Sequence, residues 1–238
     1  MKKILLLLMT LFFVSCELHE QSAFLNGNET KSVFELKAIE KMFSAISSDD
    51  YFGLKELIES QNMDLNIQNE QGQLLLNEAL KLEKDLIVSL LIENGASPDE
   101  MDKEGSSARE IIKRLPSPEI WDKILQGLKP DQDFLDSKVI QLVSEAAEDQ
   151  QEIVSGKLSL YFKNGANVNA KNERSYTLLI IVSSKGLTTL VTYLCETEGV
   201  DINAKAGRFT ALTLTKRLAR RDPKLNPVID ILLRYGAQ

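Results

Sequence analysis

The chain reads as an all-α solenoid of about six helix-pair units joined by short β-turn hairpins. A phrase recurs along it: Leu90 to Asp99 is LLIENGASPD, Leu160 to Lys171 is LYFKNGANVNAK, and Leu194 to Lys205 is LCETEGVDINAK. Shorter echoes stand at Asp64-Leu65-Asn66-Ile67 and at Ile231 to Ala237. Taking Asn62, Gly95, Gly127, Gly165, Gly199 and Gly236 as equivalent turns, the spacings are 33, 32, 38, 34 and 37 residues. A fixed period of this length marks stacked supersecondary units. Between the turns, apolar residues fall at i, i+1, i+4, i+5, as in Leu86, Ile87, Leu90, Leu91 and in Leu190, Val191, Leu194, Cys195. That spacing draws a stripe along one helix face and lacks the alternation of a strand.

The first element is set apart from the fold. Met1-Lys2-Lys3 is a short basic start, Ile4 to Val14 is apolar except for Thr10, and Ser15-Cys16 follows. These 11 apolar-run residues are too few for a hydrocarbon core that takes roughly 20 in a helix. Basic start, apolar run and small residue at the cut have the shape of a secretory signal over residues 1–15, and the lack of any polar face argues against a buried helix. Phe13-Val14-Ser15-Cys16 resembles a bacterial lipobox, with Phe in place of the usual Leu. That resemblance implies acyl chains on Cys16; the competing reading is an incidental Cys beside an ordinary cleavage site. Residues 16–32, polar and without periodicity, read as a flexible tether. The chain is thus expected to be exported, lipid-anchored at the cell envelope and facing the periplasm.

The repeats follow. With 43% hydrophobic and 26% charged residues, 238 residues suffice for a packed core and are too apolar for general disorder. Six units are expected: 33–68, 69–101, 102–133, 134–171, 172–204 and 205–238, the first and last as caps. Each helix stripe is buried by its neighbours in the stack. Gly95, Gly165 and Gly199 each follow a second helix, where a left-handed residue ends it. Pro98, Pro116, Pro118, Pro130, Pro223 and Pro227 are expected between helices. Leu115-Pro116-Ser117-Pro118 and Lys129-Pro130-Asp131-Gln132-Asp133 stretch the spacing, which points to a bend or small break between the third and fourth units.

Inside the unit the sequence resembles the ankyrin-repeat family, whose pattern runs D-x-x-G-x-T-P-L-H, a short helix, a longer apolar helix, then L-L-x-x-G-A-D-V-N-A. Asn172 to Lys185 (NERSYTLLIIVSSK) with Gly186 follows it, with Thr177 at the Thr of the pattern. Asp102 to Ala108 and Asn69 to Gln73 supply two further turns. The Pro and His of T-P-L-H are absent from every repeat; because that His ties the turn to neighbouring backbone in the family, looser hairpins are expected here. The resemblance implies a protein partner taken on the turn tips and the inner, concave helix surface. The tip residues are Glu70, Gln71, Gln73, Lys103, Glu104, Ser106, Glu173, Arg174, Tyr176, Arg208 and Phe209. Tyr176 and Phe209 have two readings, as anchors for a partner's pocket or as packing on adjacent hairpins.

Chemistry offers little to an enzyme. The single His, His19, falls in the tether and Cys195 on a packed helix face, so zinc sites and Ser-His or Cys-His pairs lack constituents in the folded part. No cofactor or metal is expected. Asp49-Asp50, Asp99-Glu100 and Glu148-Asp149 read as solvated turn residues, and Asp131-Gln132-Asp133 with Asp136 lacks the Gly and distant Glu of a calcium loop. The formal charge of −7 opposes nucleic acid. Charge is unevenly spread: residues 16–204 hold 18 Lys and Arg against 33 Asp and Glu, and residues 205–238 hold 8 against 2. The acidic body suits steering of a basic partner; Arg217, Arg220 and Arg221 suit either acidic lipid or wall polymer, or simply a solvated cap.

The function expected is a non-enzymatic protein-binding module, monomeric when free, with another envelope or exported protein as partner and the membrane touched only through its lipid. The family resemblance implies an inhibitor or self-protection (immunity) protein that covers an envelope enzyme such as a cell-wall hydrolase. The alternative is a structural scaffold assembling envelope proteins.

Overall fold

A computed structural model describes residues 33–61 and 63–238. The leader 1–15, Cys16 and the tether 16–32, and the turn assigned to Asn62, lie outside the described residues. Among those described the regular structure is helical, twelve α-helices with isolated β-bridges between them. No helix there is long and apolar enough to cross a membrane. The chain divides into two compact units, one ending at Ile111 and one from Ile112 to Gln238. The division falls within the stretch 102–133, ahead of Leu115-Pro116-Ser117-Pro118.

The first unit contains α1 (Val33–Ser47), α2 (Tyr51–Gln61), α3 (Leu75–Lys81) and α4 (Asp85–Glu93). α1 pairs with α2 and α3 with α4, while α1 packs on α3 and α2 on α4, so two helix pairs stack first helix on first and second on second. Met42, Ile46, Leu54, Leu80, Ile87 and Leu91 fill the space between them, all essentially without solvent contact. Fully burying such a side chain stabilises the unit by about 1.5–3 kcal/mol. Of the expected stripe, Ile87, Leu90 and Leu91 are buried and Leu86 is half-buried, and Val88 is buried as well. The stripe is wider than its spacing suggests because α4 meets both α3 and α2. α5 (Ala108–Ile112) runs across the division.

The second unit contains α6 (Pro118–Leu125), α7 (Gln132–Glu145), α8 (Gln151–Lys163), α9 (Leu178–Lys185), α10 (Thr188–Glu196), α11 (Ala211–Ala219) and α12 (Asn226–Arg234). The pairs α7–α8, α9–α10 and α11–α12 stack in two layers of their own: α7 on α9 on α11, and α8 on α10 on α12. α9 has a neighbour on each side and its own partner beneath, so Leu178, Leu179, Ile180, Ile181 and Val182 are all buried. A helix apolar on every face survives in water only in such a position. The prolines differ from their expected place: Pro118 opens α6 and Pro227 is the second residue of α12. In the first helical turn the missing N–H has no partner to lose.

Hairpins link the pairs, marked by the bridges Gln68–Leu74, Met101–Ser107, Lys171–Thr177 and Ala206–Phe209. In three of them an Asn or Asp opens the turn. Asn69, Asp102 and Asn172 each accept, through Oδ1, the backbone N–H groups two and four residues on, at 2.8–3.1 Å. The fourth residue of each turn has positive φ: Gly72 at 80°, Gly105 at 74° and Ser175 at 61°. This is the helix-pair and hairpin unit of an ankyrin-type stack. Ser175→Gly, relieving a left-handed side-chain clash, is expected to raise the melting temperature, and Gly165→Ala, at φ 106°, to cost about 1 kcal/mol. Calorimetry of the two variants checks both signs; a neutral Gly165→Ala would remove that glycine from the helix ends.

Candidate partner-binding surface

The hairpins are fixed to the next repeat by side chains that reach one period along the chain. Asn66 Oδ1 accepts the N–H of Ser97, Asn169 that of Asp201 and Asn203 that of Gln238, each at 2.7 Å, while Asp136 of α7 accepts that of Asn167 within its own unit at 2.8 Å. The amide of Asn169 donates back to the carbonyl of Gly199 at 2.8 Å. Asn77 stands where the family pattern has its His. Its Nδ2 donates to the Ser106 carbonyl at 2.9 Å and to Asp102 Oδ2 at 3.1 Å, so this hairpin is not loosened by the missing imidazole. Burial alone would raise the Asp102 carboxyl, but the Ser106 N–H, the Asn77 amide, the Glu104 N–H and the charge of Lys81 together hold it below the ordinary carboxylate range.

On this frame the side chains singled out in the sequence take different positions. In the first unit Glu70, Gln71, Lys103 and Glu104 are exposed, while Gln73 and Ser106 are half-buried. Gln73 Oε1 accepts from Asn69 Nδ2 at 2.8 Å and is thereby committed to its own hairpin. The Lys103 N–H donates to the Gly72 carbonyl at 2.9 Å, and a Cβ on Gly72 would stand 2.3 Å from Lys103 Cβ, so one hairpin lies directly against the next. In the second unit Glu173, Arg174 and Arg208 are exposed, and Tyr176 and Phe209 are half-buried. The Arg208 and Arg217 guanidinium carbons lie 5.1 and 5.5 Å from the Phe209 ring centroid, a cation–π arrangement that covers the ring with its own chain.

Two of the tip residues border a depression that the sequence alone did not show. Glu70 and Gln71, with Asn69, face Leu36, Ile39, Glu40 and Phe43 of α1 across a groove of about 190 Å³. Cofactor sites occupy about 300–1,000 Å³, so the groove has room for a partner's side chain and not for a cofactor. Its charged lining residues are Glu40 and Glu70, both acids. Among the described residues no group of three His, Cys, Asp or Glu is placed to hold a metal. Cys195 is buried and its thiol is pushed up to about 11 by that burial and by Glu196, which suits a packing residue and not a nucleophile.

Hairpin turns opened by Asn or Asp, stacked helix pairs and a period near 33 residues define a repeat protein of the ankyrin type. No protein-family model and no curated protein matches the chain. Solved structures similar to it include the ankyrin repeat domain of Bcl-3, a member of the IkappaB protein family, at 22% identity and a TM-score of 0.39, covering 83% of this chain and 86% of that one. Another is the ankyrin repeat protein EF0377, at 17% identity and a TM-score of 0.33, covering 84% of this chain and 83% of that one.

The period-reaching Asn residues and Asn77 were not singled out from the sequence. Asn66, Asn169 and Asn203 were visible there as the Asn of the recurring D-x-N and N-x-N phrases, but a side chain's long-range partner is not written in its spacing. Asn77→Ala leaves the Ser106 carbonyl and one Asp102 oxygen without this donor and is expected to cost about 1–3 kcal/mol. Asn77→His, which restores a donor, should recover part of it in denaturant melts. Because the folded pKa of Asp102 is depressed, its contribution is present above the unfolded value of about 3.9 and is lost as pH falls through the lower folded value. The stability gap between the unaltered chain and Asp102→Asn should therefore narrow in acid; a gap constant down to about pH 2 would remove this linkage.

Proposed function

We propose that this chain is a non-enzymatic protein-binding module, held at the bacterial cell envelope by lipid on Cys16 and facing the periplasm, monomeric when free. Its partner is another envelope or exported protein. The finer reading is an inhibitor or self-protection protein that covers an envelope enzyme such as a cell-wall hydrolase.

The binding reading is carried by one observation: exposed tip residues such as Glu70, Gln71, Lys103, Glu104, Glu173 and Arg174 project from backbone that Asn69, Asp102 and Asn172 already hold in place. A surface ordered before encounter loses little loop entropy on binding, and that saving appears as affinity. Anchoring is supported by Lys2-Lys3, the apolar run Ile4 to Val14 and Cys16 directly after Ser15. Inhibition is supported by the resemblance of such exported repeat proteins to antagonists of wall-cutting enzymes, since a rigid surface can close a cleft with no chemistry of its own.

Two measurements test the parts separately. Cys16→Ser is expected to move the protein from the membrane fraction to the soluble one; equal retention of both forms sinks the anchor. The full chain, added in equimolar amount to exported wall hydrolases of the producing cell, is expected to abolish the activity of one. Glu70→Lys with Arg174→Glu should then weaken that inhibition tenfold or more, with the melting temperature held within a few degrees. No change in any hydrolase rate removes the inhibitor reading.

A further inference from the structure

Residues 205–221 carry Lys205, Arg208, Lys216, Arg217, Arg220 and Arg221 and not one Asp or Glu, in a chain whose residues 16–204 hold 33 acids against 18 cations. The second unit gathers four of these cations, Arg208, Lys216, Arg217 and Arg220, on one surface. Along α11, Ala211, Leu212, Leu214 and Thr215 are buried, while Thr213, Lys216 and Arg217, with Arg220 at its end, are exposed. At 100° per residue the exposed four span one continuous arc of the helix. Arg208 comes to the same place from the hairpin, because its guanidinium and that of Arg217 both lie over Phe209. Among the described residues none of the six is in an ion pair. Lys216 and Arg217 complement the C-terminal end of α11; Arg208 precedes that helix and serves no such end.

We propose that this face, Arg208 and Arg217 over Phe209 with Lys216 and Arg220 on the exposed arc of α11 and Arg221 just beyond its end, docks on the phosphate headgroups of an anionic phospholipid surface. It gives the protein an electrostatic contact with the membrane in addition to the lipid on Cys16, and it rests on the envelope reading given above. Several unpaired cations held side by side repel one another, and an array of fixed anions relieves that repulsion. A long polyanion is a poor fit, because it must track a chain whose total formal charge is −7. A membrane needs to meet only this patch, since the acidic remainder is screened beyond a Debye length of about 8–10 Å. Each Lys or Arg near an anionic leaflet raises partitioning roughly fivefold. A patch tethered through Cys16 meets the surface at high effective concentration.

The test uses the full chain carrying Cys16→Ser, so that acylation plays no part, sedimented with vesicles of phosphatidylcholine alone or of phosphatidylcholine and phosphatidylglycerol in equal parts. Partitioning is expected to be at least a hundredfold higher on the anionic vesicles and to fall with added salt. Lys216→Gln with Arg220→Gln and Arg221→Gln leaves the Phe209 stack untouched and should lower that partitioning roughly a hundredfold, at fivefold per cation. Lys37→Gln with Lys129→Gln and Lys163→Gln removes the same charge from exposed sites elsewhere and should leave it unchanged. Equal partitioning to the two kinds of vesicle, or equal loss in the two triple variants, overturns the proposal. So does soluble polyglycerol phosphate binding the chain as tightly as the vesicles do, which would make a free polyanion the ligand. Cys16 is absent throughout, so a failed lipid anchor and a failed basic face give separate results.

Discussion

The structure depends on a side-chain oxygen accepting a backbone N–H one repeat further on. Asn66, Asn169 and Asn203 do this at 2.7 Å, over sequence separations of 31, 32 and 35 residues. Apolar stripes bring helix pairs together but do not fix how far one pair slides along the next, because hydrophobic attraction has no direction. A hydrogen bond does, since it weakens steeply with misalignment. The bonds thus convert a greasy contact into a register, and the hairpins inherit their spacing from it.

This division also explains what the sequence disclosed and what it withheld. The helix pairs were legible because Leu190, Val191, Leu194 and Cys195 repeat at helical spacing, and all four are buried. The hairpins were legible because Asn, Asp and Gly have local reasons to occupy turns. Asn77 was hidden: read against the family pattern it is a missing His, and only its contacts with Ser106 and Asp102 reveal a donor of the same kind. Lys185 was hidden likewise. Its ammonium donates to the carbonyls of Ser144 and Ala146, both at 2.7 Å, and so finishes α7 from about forty residues away. Such a cap has no local motif, because the cation that meets the negative helix end belongs to a different repeat.

The tip residues were only partly legible for a related reason. Position in the hairpin predicts that a side chain can reach solvent, and Glu70, Lys103, Glu173 and Arg174 do. It does not predict whether the same chain offers that side chain a partner first. Gln73 is taken by Asn69, and Phe209 by two guanidinium groups. The groove beside Glu70 and Gln71 depends on Leu36, Ile39 and Phe43 of α1, where Ile39 is buried and the other two are half-buried. Surface and core share residues there.

Asp136 has a bearing on how such a molecule ages. It holds the Asn167 N–H of its own unit with a carboxylate, whereas Asn66, Asn169 and Asn203 hold an N–H of the next repeat with a carboxamide. Asparagine is among the chemically labile residues, and hydrolysis of its side-chain amide yields the group that Asp136 already carries. Direct hydrolysis adds water, expels ammonia and keeps an accepting oxygen, so at Asn169 the bond to the Gly199 carbonyl would go and the bond from Asp201 would remain. A long-lived copy of this chain would accumulate negative charge at the edges of its repeats while keeping their alignment, so wear would register in its isoelectric point before it registered in its shape.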